Sequence, residues 1–318
     1  YNSAPLFQHI GKAAYKEGLS NTYALDDHFR HPHQKFRTIH IAGTNGKGSC
    51  SHTLAAILQS AGYRTGLYTS PHLVDFRERI RINGTPVPQE FVVDFVKKHR
   101  RFFEPLHPSF FELATSMAFH YFAEEQVDVA VVEVGLGGRL DCTNIIHPDL
   151  CLITNISFDH MQFLGNTLAQ IASEKAGIIK DYVPVVIGET TPETRPVFEE
   201  KAWKAHAPLI FAEEEQLLKD ARQNADGTWT YQTSDYPDLQ GELGGYYQLK
   251  NTNTLLSAIR QLKQAGYSIS EANVREGFAH VCSLTGLMGR WQKLGSNPTI
   301  VCDTGHNTGA VSYTHLTL

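Results

Sequence analysis

The spacing of hydrophobic and polar positions changes abruptly within residues 36–61 of this chain. A β-branched, apolar run at 37–42 predicts a short strand, and a glycine-rich turn follows it. Apolar side chains then recur at helical spacing at Leu54, Ile57, Leu58 and Ala61. This pattern predicts a helix that packs one face on a sheet and directs its N-terminus at the turn.

The same alternation of strand and helix patterns continues along the chain. Nearly continuous apolar runs, typical of parallel strands buried on both faces, occupy 127–134 and 150–156, with shorter runs at 64–68, 183–187, 208–212 and 298–302. Helical patterns cover 20–29, opened by Ser20, then 89–103, 110–124, 167–177, 251–265 and 270–280. Asp226-Gly227 predicts a hairpin and so an antiparallel edge. The fold class predicted is α/β, with a mostly parallel sheet covered by helices on both faces.

The glycine-rich turn after the first strand predicts a phosphate-binding loop. Gly43, Gly46 and Gly48 allow backbone N–H groups to fold around an anion, while Lys47 supplies a cation and Ser49 a hydroxyl for magnesium. The common P-loop motif has a glycine six positions before its lysine and no glycine after it, and this turn departs from it at both places. Glycines that only turn a strand into a helix are the less favoured alternative.

Three polar side chains stand out at or near the ends of buried elements. Glu133 interrupts the apolar run 127–134, where a carboxylate is costly unless it is paired or binds metal. His160 follows the next strand, and a single histidine there is more often structural. Lys175 falls on the apolar stripe of the helix at 167–177 and could extend to solvent.

Two further motifs have structural explanations that compete with functional ones. Ser109 and Glu112 are spaced as a capping box, which alone accounts for both residues. Thr69 to Leu73, TSPHL, is by itself a turn at the end of a strand. Gly135-Leu136-Gly137 resembles a dinucleotide fingerprint but lacks its glycine at the sixth position, so a Rossmann interpretation fails.

Composition narrows the class of protein. A net charge of -5 over 318 residues argues against a nucleic-acid surface, and no apolar run approaches a membrane span. The five cysteines are odd in number and form no C-x-x-C pair, which predicts reduced thiols. We expect a cytoplasmic protein that binds neither nucleic acid nor membranes.

Two motifs resemble one family. GTNGKGS at 43–49 is similar to the phosphate loop of the Mur ligase superfamily, and the glycine between its lysine and serine resembles the folate branch. EVGLGGRLDCTN at 133–144 is similar to a signature of the same branch, the folylpolyglutamate synthases that are also dihydrofolate synthases. The resemblance implies a monomeric ligase that uses ATP and Mg²⁺ to join L-glutamate to dihydropteroate or folates through an acyl phosphate.

The resemblance also implies roles for particular residues. Nucleotide binding is implied for Gly43, Thr44, Asn45, Gly46, Lys47, Gly48, Ser49, Asn251, Arg290 and Asp303. Magnesium binding is implied for Ser70, Glu133 and His160. Pterin or folate binding is implied for Ser109, Phe110, Phe111, Glu112, Leu140, Asp141 and Cys142. The implied catalytic residues are Lys47, Glu133, His160 and Lys175, the last of them carbamylated.

Domain organisation follows the same resemblance. We expect a P-loop ligase domain at 1–286 and, at 287–318, the truncated start of a second α/β domain with one strand and a foreign tail at 312–318. Arg290 and Asp303 would then reach ATP only if the second domain folds and docks. Two alternatives remain: an ATP-binding chain made inactive by truncation, and a UDP-muramoyl peptide ligase, for whose UDP-binding domain the 42 residues before Gly43 are too few.

Overall fold

The computed structural model describes residues 18–307. The predicted tail at 312–318 lies outside the described residues. Within them an eight-stranded sheet has the order β4-β3-β2-β5-β1-β6-β7-β8. Its strands are β1 (Arg37–Ala42), β2 (Thr65–Tyr68), β3 (Ile80–Ile82), β4 (Thr85–Pro86), β5 (Val129–Glu133), β6 (Leu150–Ile153), β7 (Val185–Ile187) and β8 (Leu209–Phe211).

The sheet is parallel from β2 to β8 and antiparallel at one edge, where β3 pairs with β2 and β4 with β3. The helices are α1 (Ser20–His28), α2 (Lys47–Ser60), α3 (Gln89–Phe103), α4 (Phe110–Glu124), α5 (Met161–Leu164), α6 (Leu168–Ala176), α7 (Arg195–Lys204), α8 (Ala212–Glu215), α9 (Gln248–Gln264), α10 (Glu271–Ala279) and α11 (Val281–Thr285). The predicted α/β fold with a mostly parallel sheet is confirmed.

Both faces of the sheet are covered, as the continuous apolar runs predict. In β5, Val129 and Val131 pack with α2 and α9 on one face, whereas Ala130 and Val132 pack with α3 and α4 on the other. A third apolar cluster lies under α6 and α7, beside β6 and β7. None of the described helices is long and apolar enough to cross a bilayer.

Two local predictions are wrong in their details. The Asp226-Gly227 turn joins β9 (Leu218–Gln223) to β10 (Trp229–Thr233), which form a separate sheet with β11 (Leu239–Gly241) instead of an edge of the main sheet. Ser20 does not open α1 as a cap, because Leu19 holds the N-cap position without a side-chain hydrogen bond.

The predicted strand at 298–302 is half of a hairpin. It forms β13 (Thr299–Cys302) and pairs antiparallel with β12 (Gln292–Ser296), which the sequence pattern missed. The glycine and lysine content of β12 gives no alternating apolar pattern, so that strand depends on its partner rather than on its own residues.

Candidate nucleotide-binding site

The phosphate-binding loop at 43–49 leaves β1 in the middle of the sheet and is held there by the residues after β6. Backbone N–H of Thr44 donates to Asn155 O at 2.9 Å, and that of Asn45 donates to Asn155 Oδ1 at 2.9 Å. Thr154 Oγ1 donates to Asn45 O at 2.6 Å. The first half of the loop is therefore fixed from the neighbouring strand.

The second half of the loop presents its N–H groups to the space above it. Within the described part of the chain, the backbone N–H groups of residues 46–49 have no bonded acceptor. They form the N-terminus of α2, where unpaired amides and the helix dipole attract anions. Lys47 Nζ donates to Thr44 O at 3.1 Å, so its ammonium stays beside the loop.

A chain of hydrogen bonds ties the loop to α9. Asn251 Nδ2 donates to Gln248 Oε1 at 2.9 Å, and Gln248 Nε2 donates to Ser49 Oγ at 3.1 Å. Gly46 has φ +85°, and a Cβ there would lie 2.3 Å from Asn251 Oδ1. Only glycine allows this approach of loop and helix. Asn251, assigned to the nucleotide by resemblance, thus lies directly against the loop.

The loop forms one wall of a cavity of about 200 Å³. The other walls come from the turn after β2, the end of β5, the start of α9 and the segment around β12 and β13. The cavity brings together most of the residues predicted for nucleotide and metal, namely Thr44, Asn45, Gly46, Lys47, Gly48, Ser49, Ser70, Glu133, Asn251, Arg290 and Asp303.

Glu133 is the most buried acid among the described residues that line this cavity. Its side chain is 3% exposed at the end of β5, and Oε2 accepts from the backbone N–H of Ser70 at 3.3 Å. Burial raises the pKa of the Glu133 carboxyl, while the Lys47 charge acts in the opposite direction. An acid in this position suits a magnesium ion, which takes one or two carboxylates and completes its shell with water and phosphate. Ser70 and Glu133 are thus brought together, as predicted.

His160 lies near the loop but is not among the described residues that line the cavity. Its backbone is left-handed at φ +47°, and its Nε2 lies 3.7 Å from Asp159 Oδ1. Burial lowers the pKa of the imidazole, and Lys47 and Lys175 lower it further. The Lys47 charge therefore acts on the imidazole of His160 as well as on the carboxyl of Glu133. The role of His160 as a magnesium ligand stays a prediction.

Lys175 does not extend to solvent. It is 5% exposed on α6, and its Nζ donates to Gly43 O at 2.9 Å, beneath the loop. Burial, together with the Lys47 charge, lowers the pKa of the ammonium to about 7. A substantial fraction of this amine is therefore neutral near pH 7.

Arg290 and Asp303 reach the cavity within the described chain. Arg290 bonds Thr304 Oγ1 and, at 3.2 Å, Gly289 O, while Asp303 Oδ2 accepts from Tyr247 OH at 2.8 Å. The expectation that both residues need a docked second domain to approach the loop is wrong. The hairpin and its flanking turns bring them there, because Tyr247 holds Asp303 against the start of α9.

Comparison with known proteins decides the family. The Mur ligase middle domain matches residues 41–259. The dihydrofolate synthase/folylpolyglutamate synthase of Bacillus subtilis (strain 168) is 35% identical over 311 residues, covering 94% of this chain and 71% of the relative. The chain belongs to the folylpolyglutamate synthases of the Mur ligase family. The resemblance inferred from the loop is confirmed, and the muramoyl peptide ligase alternative is not favoured.

Solved structures of the family agree with this assignment. A complex of FPGS with AMPPCP and folate has a TM-score of 0.86 at 32% identity, with 98% of this chain and 77% of that chain covered. The folylpolyglutamate synthase of Thermotoga maritima has a TM-score of 0.81 at 35% identity, covering 94% of this chain and 70% of that one. The chain spans 70% to 77% of the length of these three proteins.

The residues for which the folylpolyglutamate synthase resemblance implies pterin binding lie in two segments, 109–112 and 140–142. Ser109 and Glu112 form the predicted capping box of α4, and Glu112 is buried. Phe111 packs over Gly135, where a Cβ would lie 2.4 Å from the ring. Phe110 lies under the guanidinium of Arg79, 5.1 Å from ring centroid to Cζ. Phe111 therefore lies beside the loop at 135–142, whereas Phe110 lies against Arg79. Among the described residues, the hydrogen bonds of the Glu112 carboxylate go to Ser109 and Asn21 and not to that loop.

The carboxylate of Asp141 accepts hydrogen bonds from the backbone of its own loop. Its Oδ2 accepts from the N–H groups of Gly135 and Leu136 at 3.0 and 2.9 Å, and its Oδ1 accepts from Thr143. Burial raises the pKa of this carboxyl, and it raises the pKa of the neighbouring Cys142 thiol as well. With its oxygens occupied, Asp141 shapes the loop that carries Leu140, and contact with the pterin stays a prediction for all three residues at 140–142.

Four residues of the site were not predicted from the sequence. Asn155 holds the loop, Tyr247 holds Asp303, and His52 and Arg81 line the cavity. Asn155 directly follows an apolar strand, so the rule that ligands bind at the carboxyl ends of parallel strands could have found it. Tyr247, His52 and Arg81 are brought to the cavity by contacts between segments that are distant in sequence, and local patterns do not reveal such contacts.

We expect Gln248→Leu to weaken binding of AMPPCP about tenfold, because the substitution leaves buried polar atoms of Ser49 and Asn251 without their partner. Calorimetric titration with AMPPCP and magnesium measures this effect. The control is Gln264→Leu, the same change at the exposed end of the same helix. Equal affinities in both variants would show that this chain of bonds does not hold the loop.

Proposed function

We propose that this chain is an ATP-dependent ligase that joins L-glutamate to dihydropteroate or to the glutamate of a folate by an amide bond. The observation that carries the proposal is the pairing, in one cavity, of a phosphate-binding loop that carries Lys47 with a buried acid, Glu133. The relatives named as folylpolyglutamate synthases, one of them in complex with AMPPCP and folate, support both the nucleotide and the substrate.

The reaction proceeds in two displacements that need no nucleophile from the protein. A substrate carboxylate oxygen attacks the γ-phosphorus of ATP, the bond to the β–γ bridging oxygen breaks, and ADP leaves. The amine of glutamate attacks the carbonyl carbon of the acyl phosphate, phosphate leaves, and the amine loses a proton. The N–H groups of residues 46–49, with Lys47 and Arg290, hold the charged oxygens through both steps.

The part of the cavity that contains Glu133 and Ser70 suits a magnesium ion. Glu133 offers a buried carboxylate, and Ser70, whose backbone bonds that carboxylate, offers a hydroxyl. When bound, the ion neutralises phosphate charge. Glu133 offers its carboxylate in a cavity that Lys47 and Arg290 also line, and His160 is the third proposed ligand.

Lys175 fits the carbamate that the family resemblance implies. Its amine is buried, has a pKa lowered to about 7, and lies under the loop at Gly43. The neutral nitrogen attacks CO₂, an N–H proton leaves, and a carbamate anion replaces a poorly solvated ammonium. The anion would adjoin the same cations that surround the loop and could hold a second magnesium.

A nucleotide-binding chain without ligase activity is the alternative of a different class. It predicts ADP release that does not depend on the other substrates. In the proposed ligase, the amine and carboxylate substrates are both required for continuous turnover.

The purified chain is expected to release ADP only when L-glutamate and a pterin substrate are both present. Lys47→Ala should abolish this turnover and weaken ATP binding, since the backbone donors alone leave the phosphate charge uncompensated. A coupled ADP assay and calorimetry measure the two effects. Lys97→Ala, an exposed lysine on α3, is the control. ADP release by the parent chain without pterin or glutamate would favour the alternative.

Glu133→Gln should raise the magnesium concentration needed for half-maximal AMPPCP binding by at least about tenfold, because the amide lacks the charge that attracts the ion. Magnesium titrations at fixed AMPPCP give this value. The matched variant is Glu90→Gln, an exposed glutamate at the start of α3. An unchanged magnesium requirement would remove Glu133 from the metal site.

Carbamylation of Lys175 should increase with pH from 6 to 8, since only the neutral amine reacts and its pKa is lowered to about 7. Carbon-13 NMR with labelled bicarbonate detects the carbamate signal. The signal should be absent in Lys175→Ala and retained in Lys180→Ala, a partly buried lysine that donates to Asn144 O at 2.8 Å. A signal of equal size in the Lys175 variant would contradict the assignment.

A further inference from the structure

His40, in the middle of β1, is a fully buried histidine in an apolar part of the sheet. Its side chain is 0% exposed, and its partners in the parallel ladder are Val132 on β5 and Cys151 on β6. Ile39 and Ile41 point to the opposite face and pack under α2. An imidazole buried among such neighbours is costly unless hydrogen bonds compensate for the lost water. The proposed reaction does not use this side chain.

The ring of His40 bonds the end of the loop at 135–142. Its Nε2 lies 2.8 Å from Thr143 Oγ1, while its Nδ1 is enclosed and has no partner among the described residues. Thr143 Oγ1 donates to Asp141 Oδ1 at 2.5 Å, which uses the single hydrogen of the hydroxyl. The hydroxyl oxygen therefore accepts from His40, and the ring carries its hydrogen on Nε2.

Asp141 fixes the direction of these bonds. Its two oxygens accept from the N–H groups of Gly135 and Leu136 and from both the N–H and the hydroxyl of Thr143. With donors at all of these positions the carboxylate acts only as an acceptor, as its ionised form requires. The donors therefore run from His40 through Thr143 to Asp141, whose other oxygen holds the first residues of the loop.

The His40 ring stays neutral at physiological pH. Burial, together with the charge of Lys180, lowers the pKa of His40 to about 3. A neutral ring has one hydrogen to donate, so the bond to Thr143 does not change direction between pH 5 and pH 8. Lys180 Nζ also donates to Asn144 O at 2.8 Å, which holds the residue after Thr143. The end of the loop is thus tied to β1 and to the segment after α6.

The loop at 135–142 borders the site without lining the nucleotide cavity. It begins two residues after Glu133, and the N–H of Arg139 donates at 2.8 Å to a backbone oxygen of α6, the helix of the buried lysine. At its start Phe111 packs over Gly135. None of its described residues lines the nucleotide cavity. A loop beside the buried acid and an aromatic ring suits a flat aromatic substrate rather than ATP.

We propose that His40 is a positioning residue for the pterin substrate. Its Nε2–H, acting through Thr143 and Asp141, holds the loop at 135–142 in a fixed position relative to the phosphate-binding loop, which begins three residues after His40 on the same strand. The substrate carboxylate is thereby held near the γ-phosphate. His40 touches no substrate, because its ring is enclosed. The inference rests on the proposed ligase function.

The test uses two amides that place their nitrogen at different depths. Glutamine at position 40 puts its amide nitrogen where histidine has Nε2, whereas asparagine puts it where histidine has Nδ1 and does not reach Thr143. His40→Asn should raise the KM for dihydropteroate about 5- to 20-fold, because a buried hydrogen bond is lost. His40→Gln should restore the KM to within about threefold of the parent value. Affinity for AMPPCP should stay within about twofold in both variants.

The control for these two variants is His206→Asn, the same change at an exposed histidine after α7, which should match the parent. If His40→Asn does not bind AMPPCP, Thr143→Val replaces it, with Thr143→Ser as the variant that keeps the hydroxyl. The double variant His40→Asn/Thr143→Val should have the same KM as Thr143→Val alone, because both changes break one series of bonds.

Hydrogen–deuterium exchange gives a measurement that needs no turnover. The N–H groups of Gly135 and Leu136 donate to Asp141. Their exchange should become faster in His40→Asn and return to the parent rate in His40→Gln, whereas exchange in α2 should not change. A histidine that only fills space would lower thermal stability without this difference between the two amides.

The inference is overturned if His40→Asn and His40→Gln lose thermal stability equally and exchange at 135–136 changes in neither. It is also overturned if turnover by His40→Asn keeps the parent KM for dihydropteroate, or if its affinity for AMPPCP falls as much as its KM rises. A parent chain without pterin-dependent turnover would reject the proposed function, and the exchange rates then decide separately whether His40 holds the loop.

Discussion

The bonds between the phosphate-binding loop and the residues after β6 are the constraint on which the site depends. Asn155 accepts from the N–H groups of Thr44 and Asn45, one through its backbone and one through its side chain. These bonds prevent the first half of the loop from folding inward and taking up the amides at 46–49. The donors are thus oriented before a ligand arrives, so less ordering opposes binding.

Strand register places the other groups around this loop. In the parallel ladder Ile41 pairs with Glu133 and Ala42 with Ile153, so β5 and β6 end on either side of the loop. Successive side chains of a strand point to opposite faces, and a slip of one residue would turn Glu133 away from its present position. The apolar residues of β5, which pack on both faces, fix this register. Core packing therefore positions a carboxylate that is itself costly to bury.

Local patterns predict the elements whose signals lie within a few residues. The bounds of α3 and α4, the capping box of Ser109 and the loop at 43–49 all follow from spacing alone. The pairing of β12 with β13 and the separate sheet around Asp226 do not, because strand partners are chosen by long-range packing. Arg81 and His52 were missed for the same reason: an arginine on the short strand β3 and a histidine on helix α2 look ordinary until the end of α11 brings Thr285 and Gly286 beside them.

The balance of charge in the cavity explains why such costly groups are kept. Four acids, Glu78, Glu133, Glu189 and Asp303, line it together with Lys47, Arg81, Lys250 and Arg290, and Lys175 lies beneath the loop. Lys250 pairs with Glu189, whereas Lys47, Arg81 and Arg290 form no salt bridge among the described residues. Cations held apart by fixed backbone bonds cannot relieve one another, and their mutual repulsion grows as water leaves. Anions that enter the cavity remove this repulsion and gain desolvated partners at once. A ligand with too few negative groups leaves part of the repulsion in place, so the protein can select substrates by the number and placement of their charges as well as by their shape.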